Sequence, residues 1–397
     1  MRRRQIVVFL NNKLITCDTI VPLMIELAAK RPSLAVEFAV FEENTHDVIQ
    51  RNTVLLGAIN SVGRLVFRGR RISARQSLLQ LTIHRVRSIL WLLGLLVRAL
   101  AGWVSLVHFK SLNQWPLRAV GMLASQHTFF FEPSAIGYAP LEKRASELMK
   151  MRKYDNRRPV GKYLVGFSKY WPPFTDVRLK NTIKKRLPPP FTSRYWIKYL
   201  DERRLGDLAS CFEAAGIPKS ESLVLYILAW MGPTGLLRER DLFPKLYEET
   251  LQVLAETCPQ LPIFIKPHPA MRADERRWVM ERALSYQGLQ VVVTDLHPML
   301  LAQSAKFAIG NCYSTAFSSI HYLGVPTIEY TNYSERILQE TNGGSMRPEY
   351  VTQFISRNPN ELRLAVHKYV QNDSPRMPVF QDVLDDPELI SALAGSA

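Results

Sequence analysis

The segment that decides the fold is residues 261–330, which begins Leu-Pro-Ile-Phe-Ile-Lys-Pro-His-Pro and ends Gly-Val-Pro-Thr-Ile-Glu-Tyr. Charged amphipathic stretches separate four short apolar runs within it, at 263–265, 291–293, 307–309 and 325–328. Short apolar runs that alternate with helical stretches are typical of βαβ units. The segment therefore predicts a parallel sheet covered by helices.

Polar side chains follow the predicted strands of this segment. Ligands of parallel α/β sheets bind beyond the carboxyl ends of the strands, so we expect these side chains to share one edge of the sheet. A cation, two imidazoles, an amide and two hydroxyls suit a phosphate and a sugar. The residues are Lys266, His268, His297, Asn311, Ser314 and Thr315.

Bulk properties indicate a globular protein with an anionic partner. The 397 residues are enough for two domains, which we expect at 1–200 and 201–397. The net charge of +16 implies nucleic acid, acidic lipid or a phosphorylated substrate. The four cysteines have neither metal-ligand nor disulfide spacing, and no Asp-x-Asp motif occurs, so we expect no metal and no cofactor.

The N-terminal half is also predicted to be Rossmann-like. Residues 5–10 read as a buried strand, a helix is expected to start at Asp18-Thr19, and 35–41 reads as a second strand. The first apolar run is too short for a signal peptide. The fingerprint Gly-x-Gly-x-x-Gly is absent here, so no dinucleotide site is inferred.

Residues 48–131 contain no Asp or Glu but eleven Arg or Lys, and they include an apolar stretch at 89–107 interrupted by Arg98. Two interpretations stay open for this part of the first domain, an insertion at about 60–125: a core helix pair with a solvated basic face, or a segment lying on an anionic membrane. A membrane span is disfavoured because a central arginine costs at least about 2.5 kcal/mol. No zinc spacing or RNA-binding aromatic motif favours nucleic acid.

The tetrapeptide Lys-Pro-His-Pro at 266–269 is the strongest single motif. Its prolines fix φ and disfavour helix at the residues before them, which holds His268 in a rigid extended turn. A rigid imidazole beside an ammonium group can donate hydrogen bonds to phosphate oxygens, although His-Pro also occurs in plain turns. His297-Pro298 repeats the pattern, and Pro298 equally suits the first position of a helix.

Two loops are further candidates for a ligand site. Ser314 or Thr315 is expected to cap a helix, whose free N–H groups could bind an anion or could be capped in the ordinary way. Gly232 follows a predicted strand at 222–229, where a glycine lets the backbone approach a ligand, and a plain tight turn explains it equally well.

These motifs resemble GT-B glycosyltransferases of the bacterial capsule and surface-polysaccharide type, including Kdo-transferase-like and polysialyltransferase-like branches, and teichoic-acid glycerophosphotransferases share a similar pair. The resemblance rests on Lys266-Pro-His-Pro269, Ser314-Thr315 and Gly324-Val-Pro326. It implies two Rossmann-like domains facing a cleft and a CMP-, CDP- or UDP-activated donor whose phosphates contact His268 and Ser314/Thr315. Many relatives have a helix Glu where this chain has Phe317 and Ser318, and Glu329 is a possible substitute.

The resemblance also implies an acceptor in the first domain, where a strand-end carboxylate would act as base. Asp18 and Glu132 are the candidates retained for this role, and Asp18 can equally cap its helix. The expected activity is metal-independent sugar transfer to a surface polysaccharide or lipid-linked acceptor at the inner face of the cytoplasmic membrane, without nucleic acid. A nucleotide-sugar 2-epimerase and a non-catalytic sugar- or phosphate-binding partner remain the alternatives.

Overall fold

The structure is a computed structural model of the chain. It describes residues 4–10, 14–69, 78–109, 115–132, 160–167, 179–228, 237–238, 242–371, 376 and 378–395. The chain divides into two compact units, of which unit 1 comprises Met1–Lys198 and Phe380–Ala397 and unit 2 comprises Tyr199–Val379. Each unit is built on a parallel sheet with helices, which confirms the predicted α/β class.

Unit 1 contains a seven-stranded parallel sheet in the order β3-β2-β1-β4-β5-β6-β7. The central strands are almost wholly buried because helices cover both faces of such a sheet. The strands are β1 Gln5–Leu10, β2 Ala35–Val40, β3 Gly63–Phe67, β4 Val104–His108, β5 Thr128–Phe131, β6 Tyr163–Gly166 and β7 Ile183–Arg186.

The helices of unit 1 differ from the sequence-based expectation at two points. Helix α1 begins at Ile15, so Asp18 lies in its first turn and not at its cap. The apolar stretch 89–107 forms one helix and one buried strand, because Gly102 (φ 72°) ends the helix before β4. The helices are α1 Ile15–Lys30, α2 Glu43–Arg51, α3 Thr53–Val62, α4 Leu78–Leu100, α5 Leu117–Leu123 and, crossing into unit 2, α6 Arg194–Ala215.

Unit 2 contains a six-stranded parallel sheet in the order β10-β9-β8-β11-β12-β13. The four apolar runs of the deciding segment correspond to strands, as predicted. The strands are β8 Leu223–Ile227, β9 Ile263–Lys266, β10 Val291–Val293, β11 Ala305–Gly310, β12 Thr327–Thr331 and β13 Gln353–Ser356. The helices are α7 Leu242–Thr257, α8 Ala273–Leu284, α9 Pro298–Ala302, α10 Ala316–Tyr322, α11 Glu335–Glu340 and α12 Pro359–Gln371.

The last described element, α13 Pro387–Ala394, packs on unit 1, although the division at residue 200 assigned it to the second domain. The reason is a buried carboxylate on α1. Glu26 Oε2 accepts the Val383 N–H at 3.1 Å and Oε1 accepts the Leu384 N–H at 2.8 Å. The Ser105 hydroxyl also donates to the Leu393 carbonyl at 2.8 Å. These bonds fix the terminal segment to the first sheet.

Among the described residues, no helix combines the length and the apolar character that crossing a bilayer requires.

Candidate functional site

The carboxyl edge of the unit 2 sheet places several predicted residues at one level. Ile227 at the end of β8 pairs in register with Lys266 on one side and with Gly310 on the other. Gly310 in turn pairs with Glu329 of β12. The chain runs outward from β8 to β9 and β10 and then returns to the other side of β8 with β11, so the winding of the sheet reverses between β8 and β11. Ligands of open α/β sheets bind at such a reversal.

Lys266 is the cation of this edge, and it belongs to a charge cluster. Its Nζ lies 3.8 Å from Asp295 Oδ1, and its side chain is nearly buried. Arg276 on α8 holds both carboxylate oxygens of Asp295, at 2.9 and 2.8 Å. Bidentate pairing fixes the carboxylate, which in turn orients the lysine. Two cations and one carboxylate leave the cluster with a net positive charge.

His268 is half-buried just beyond β9, and its neutral form is favoured. Burial, followed by the charge of Lys266, holds the pKa of the imidazole below its usual value. Nδ1 accepts the Ala270 N–H at 3.1 Å, so the proton of the neutral ring resides on Nε2. The Lys-Pro-His-Pro turn therefore presents one N–H donor next to one ammonium group.

His297 has a helix-capping role. It is buried, and its Nδ1 accepts the Met299 N–H at 3.2 Å at the start of α9. Pro298 occupies the first helical position, where its missing N–H costs nothing. Of the two interpretations of His297-Pro298, the helix start is the one that these contacts support.

Asn311 does not face a ligand, contrary to the expectation from its position after β11. It is fully buried, and its Oδ1 accepts a hydrogen bond from the Tyr226 hydroxyl. Its Nδ2 donates to Thr250 Oγ1 at 2.9 Å and lies 3.3 Å from the Tyr330 carbonyl oxygen. A side chain with these partners connects β8, β11 and β12 to α7, so Asn311 belongs to the core of unit 2.

Ser314 and Thr315 form the turn that leads into α10. Ser314 is half-buried, and its Oγ accepts the Ala316 N–H at 3.3 Å; Thr315 is exposed and makes no side-chain cap. Gly310 immediately precedes this loop. A Cβ at Gly310 would lie 2.9 Å from Phe317 Cζ and 3.0 Å from the Ile227 carbonyl oxygen, so only glycine fits this close approach.

Glu329 is fully buried in β12 and organises the back of the same loop. The hydroxyls of Tyr333 and Ser345 both donate to its carboxyl group. Burial raises the pKa of Glu329 to about 7, against the effect of these hydrogen bonds. The Tyr333 hydroxyl accepts the Tyr313 N–H at 3.0 Å. Glu329 therefore positions the loop through Tyr333, and the contacts do not support its expected role at a ribose.

Two sets of residues at this edge were missed by sequence reasoning. Asp295 lies two residues after the end of β10, so the strand-end rule that selected His297 also applied to it. Arg276, Tyr333 and Ser345 lie on helices or loops, and no local pattern marks them. They become visible only through their contacts with Lys266, Asp295 and Glu329.

The remaining candidates lie elsewhere. Asp18 is half-buried in the first turn of α1, after β1. Glu132 is buried directly after β5, and its Oε2 accepts the Phe167 N–H at 2.5 Å, a contact that joins β5 to the end of β6. Gly232 lies outside the described residues. Within the described part of the chain, no three His, Cys, Asp or Glu side chains come together as metal ligands.

The strand order thus places the end of β9, with Lys266 and His268, and the loop after β11, with Ser314 and Thr315, on the two sides of β8. Two inter-strand spacings separate the two groups, which amounts to about 10 Å. An ammonium group, one imidazole N–H and hydroxyls at this spacing can bind phosphate oxygens by charge-assisted hydrogen bonds.

No protein-family model matches the sequence. No curated protein matches it either. Solved structures with two Rossmann-like domains, the GT-B fold, do resemble it over nearly the whole chain. TcCGT1 in complex with UDP is 11% identical over 93% of this chain and 90% of its own, with a TM-score of 0.50.

Two further solved structures also resemble the chain. The UDP-GlcNAc 2-epimerase from Methanocaldococcus jannaschii is 12% identical over 98% of both chains, with a TM-score of 0.48. A UGT transferase from Siraitia grosvenorii in complex with UDP is 10% identical over 92% of this chain and 94% of its own, with a TM-score of 0.48. The fold assignment rests on the likeness to TcCGT1, which at 11% identity shows the fold alone, two Rossmann-like domains as in GT-B proteins.

Proposed function

We propose that this protein is a metal-independent glycosyltransferase that moves a sugar from a CMP-, CDP- or UDP-linked donor. The acceptor is a surface polysaccharide or a lipid-linked glycan, and transfer takes place at the inner face of the cytoplasmic membrane. The proposal combines the GT-B fold with the polar residues at the carboxyl edge of the unit 2 sheet.

The observation that carries the proposal is the register of Lys266, Ile227 and Gly310 across β9, β8 and β11. This register places the Lys-Pro-His-Pro turn and the Ser314-Thr315 loop on the two sides of β8. Both groups follow the carboxyl ends of their strands, where the sheet reverses its winding. A phosphorylated donor is the ligand whose charge and size fit them.

The chemistry follows from the charges at this edge. In an inverting transfer the bond from the acceptor oxygen to the anomeric carbon forms as the bond from that carbon to the phosphate oxygen breaks. The negative charge that develops on the leaving phosphate is stabilised by the Lys266 ammonium and by the Nε2–H of His268. The proton of the acceptor hydroxyl passes to a carboxylate base. Asp18 and Glu132 are the two residues predicted for this role. Of these two, Asp18 is preferred because the carboxyl group of Glu132 is buried against backbone.

The test compares His268→Ala with His367→Ala in transfer assays over a panel of CMP-, CDP- and UDP-sugars. His367 is exposed on α12 and serves as the matched control. We expect His268→Ala to lose about 100- to 1000-fold in kcat, the usual cost of removing one donor to a developing charge. The control should keep the activity of the unsubstituted protein. Equal activity in both variants would contradict the assignment of His268.

The same assay distinguishes the two alternatives. Conversion of a donor sugar to its epimer without any acceptor would identify a 2-epimerase. Binding of UDP, CDP or CMP that weakens in His268→Ala, without turnover of any donor, would identify a non-catalytic binding protein. Only transfer to an added glycan supports the proposed function.

A further inference from the structure

Helix α4 exposes an apolar stripe along its whole described outer face. Leu90 is 63% exposed and Val97 is 62% exposed. In surface helices of soluble proteins, the face that points away from the core usually carries polar residues. At 3.6 residues per turn, the stripe covers about 120° of the helix circumference. Its members are Ile83, Val86, Ile89, Leu90, Leu93, Val97 and Leu100.

The opposite face of α4 is also apolar and packs in the core of unit 1. Leu95 and Ala99 are fully buried, in one cluster with Val7 and Phe9 of β1. The helix is therefore apolar on both sides while only one side has a protein neighbour. Because the inner face is committed to the sheet, lipid could cover only the outer stripe, and α4 would have to lie parallel to a membrane surface.

Exposed apolar groups also occur beside α4. Helix α5 and the residue after it join the same cluster through Val120 and Ala124, and α5 exposes Met122 and Leu123. Trp103, which lies just beyond the turn that ends α4, is 42% exposed. Tryptophan is a side chain that favours the boundary between lipid and water.

The charges around the stripe indicate what kind of surface it contacts. Arg85 and Arg87 are exposed, and on a helix with 100° per residue they fall on opposite flanks of the stripe. No Asp or Glu occurs between Val48 and Phe131, so this surface has no acidic side chain of its own segment to repel an anion. An apolar stripe between arginines matches an anionic bilayer, in which acyl chains lie below a layer of negative headgroups.

We propose that the outer face of α4 lies in the plane of an anionic lipid bilayer, with its seven apolar side chains in the acyl boundary and with Arg85 and Arg87 at the headgroups. The inference deepens the proposed function, on which it rests for its setting, by naming the surface that brings the protein to its membrane. A second copy of the chain is the competing occupant, and the test separates it from the bilayer.

The first measurement is flotation of the full-length protein with vesicles of phosphatidylglycerol and phosphatidylcholine in equal amounts, without donor or acceptor. The variant Leu90→Gln/Leu93→Gln/Val97→Gln removes three members of the stripe. We expect its partition coefficient to fall by at least about tenfold, since apolar burial drives this binding. Leu205→Gln/Leu284→Gln/Leu364→Gln is the matched control, because these leucines are equally exposed on unit 2. It should bind as the unsubstituted protein does.

The second measurement tests the charges. Each arginine near an anionic surface strengthens binding by about fivefold, so Arg85→Gln/Arg87→Gln should weaken it by about 25-fold at low salt. Arg277→Gln/Arg336→Gln removes the same charge from exposed positions of unit 2 and should leave binding unchanged. Added salt and replacement of phosphatidylglycerol by phosphatidylcholine should each weaken binding by the unsubstituted protein.

Three outcomes would overturn the proposal. The first is equal flotation of the stripe variant and its control, and the second is binding that does not depend on anionic lipid. The third is a dimer in sedimentation without lipid that the stripe variant abolishes, which would assign the stripe to a second copy of the chain. None of these measurements involves sugar transfer, so a protein that binds vesicles but transfers no sugar would contradict only the proposed function.

Discussion

Glu329 is a single buried carboxyl group behind the loop that contains Ser314 and Thr315. Glu329 would be ionised at neutral pH in water, but burial raises its pKa to about 7. The folded state therefore binds this proton more tightly than the unfolded state does. The resulting stability is fully present below the ordinary pKa of a glutamate and is lost as pH rises through about 7.

Replacing Glu329 by Gln should remove this pH dependence, because an amide does not ionise. At about pH 8 the variant is expected to be more stable than the unsubstituted protein, by up to about 3 kcal/mol, and the advantage should vanish below about pH 4. Equilibrium urea unfolding at both pH values measures the difference. Glu281→Gln on the exposed face of α8 is the control. A Glu329→Gln variant that is less stable at about pH 8 would show that the ionised carboxylate is the favoured form.

At the residue scale, sequence reasoning identified positions at strand ends but not the direction of each side chain. Lys266 and His268 lie at the predicted edge, and Asn311 lies there too as far as its backbone is concerned. The side chain of Asn311 nevertheless points into the core, where Tyr226 and Thr250 bind it. That outcome depends on α7, which is more than fifty residues away in sequence. No local pattern contains this information.

At the scale of elements, two glycines show how packing decides the effect of one methyl group. Gly310 ends β11 against Phe317 and the backbone of β8, with no space for a Cβ. Gly206 lies inside α6 with nothing within 4 Å of its Cβ position. Both belong to unit 2, so their effects can be compared on the same folding unit.

Gly310→Ala and Gly206→Ala should therefore change stability in opposite directions. The first forces apart two buried groups and should destabilise unit 2 by about 1–3 kcal/mol. The second lowers the conformational entropy of the unfolded chain in a helix and should stabilise it by about 0.5–1 kcal/mol. Midpoints of urea unfolding measure both shifts. A stable Gly310→Ala variant would show that the loop before α10 can move away from β8.

Three of the strands that sequence reasoning missed share a physical feature. Strands β3, β7 and β13 lie at the edges of their sheets, and their residues are largely half-exposed or exposed. Edge strands of this kind lack the continuous apolar run that identified β1 and β9. Strand β4 was missed for another reason, since its apolar residues continue those of α4 with only Gly102 between them.

At the scale of the whole molecule, unit 1 is completed by a segment from the far end of the sequence. Glu26 is fully buried and binds the backbone of Val383 and Leu384, the Ser193 hydroxyl at 2.7 Å and Lys30 at 3.0 Å. Lys185 pairs with Asp386 at 2.8 Å and with Glu388 at 2.6 Å. A carboxylate that loses its partners while it stays buried is strongly destabilising.

Deleting residues 380–397 should therefore destabilise unit 1 by at least about 3–5 kcal/mol and leave unit 2 intact. Hydrogen–deuterium exchange is expected to show loss of protection in β1 and α1, with protection unchanged in β8 and β11. Deleting only the two residues after Gly395 is the control. If β1 keeps its protection without the segment, the buried contacts of Glu26 are not essential to unit 1.

Unit 1 consists of two separate stretches of sequence, and this has a consequence for its synthesis on the ribosome. Residues 1–198 are translated first, but their last partners come only after the 181 residues of unit 2, which run from Tyr199 to Val379. At about 5–20 residues per second, that interval lasts roughly ten to forty seconds. Unit 2 is contiguous and can fold as it emerges, while the nascent first unit still has α1 and β1 uncovered and open to chaperones.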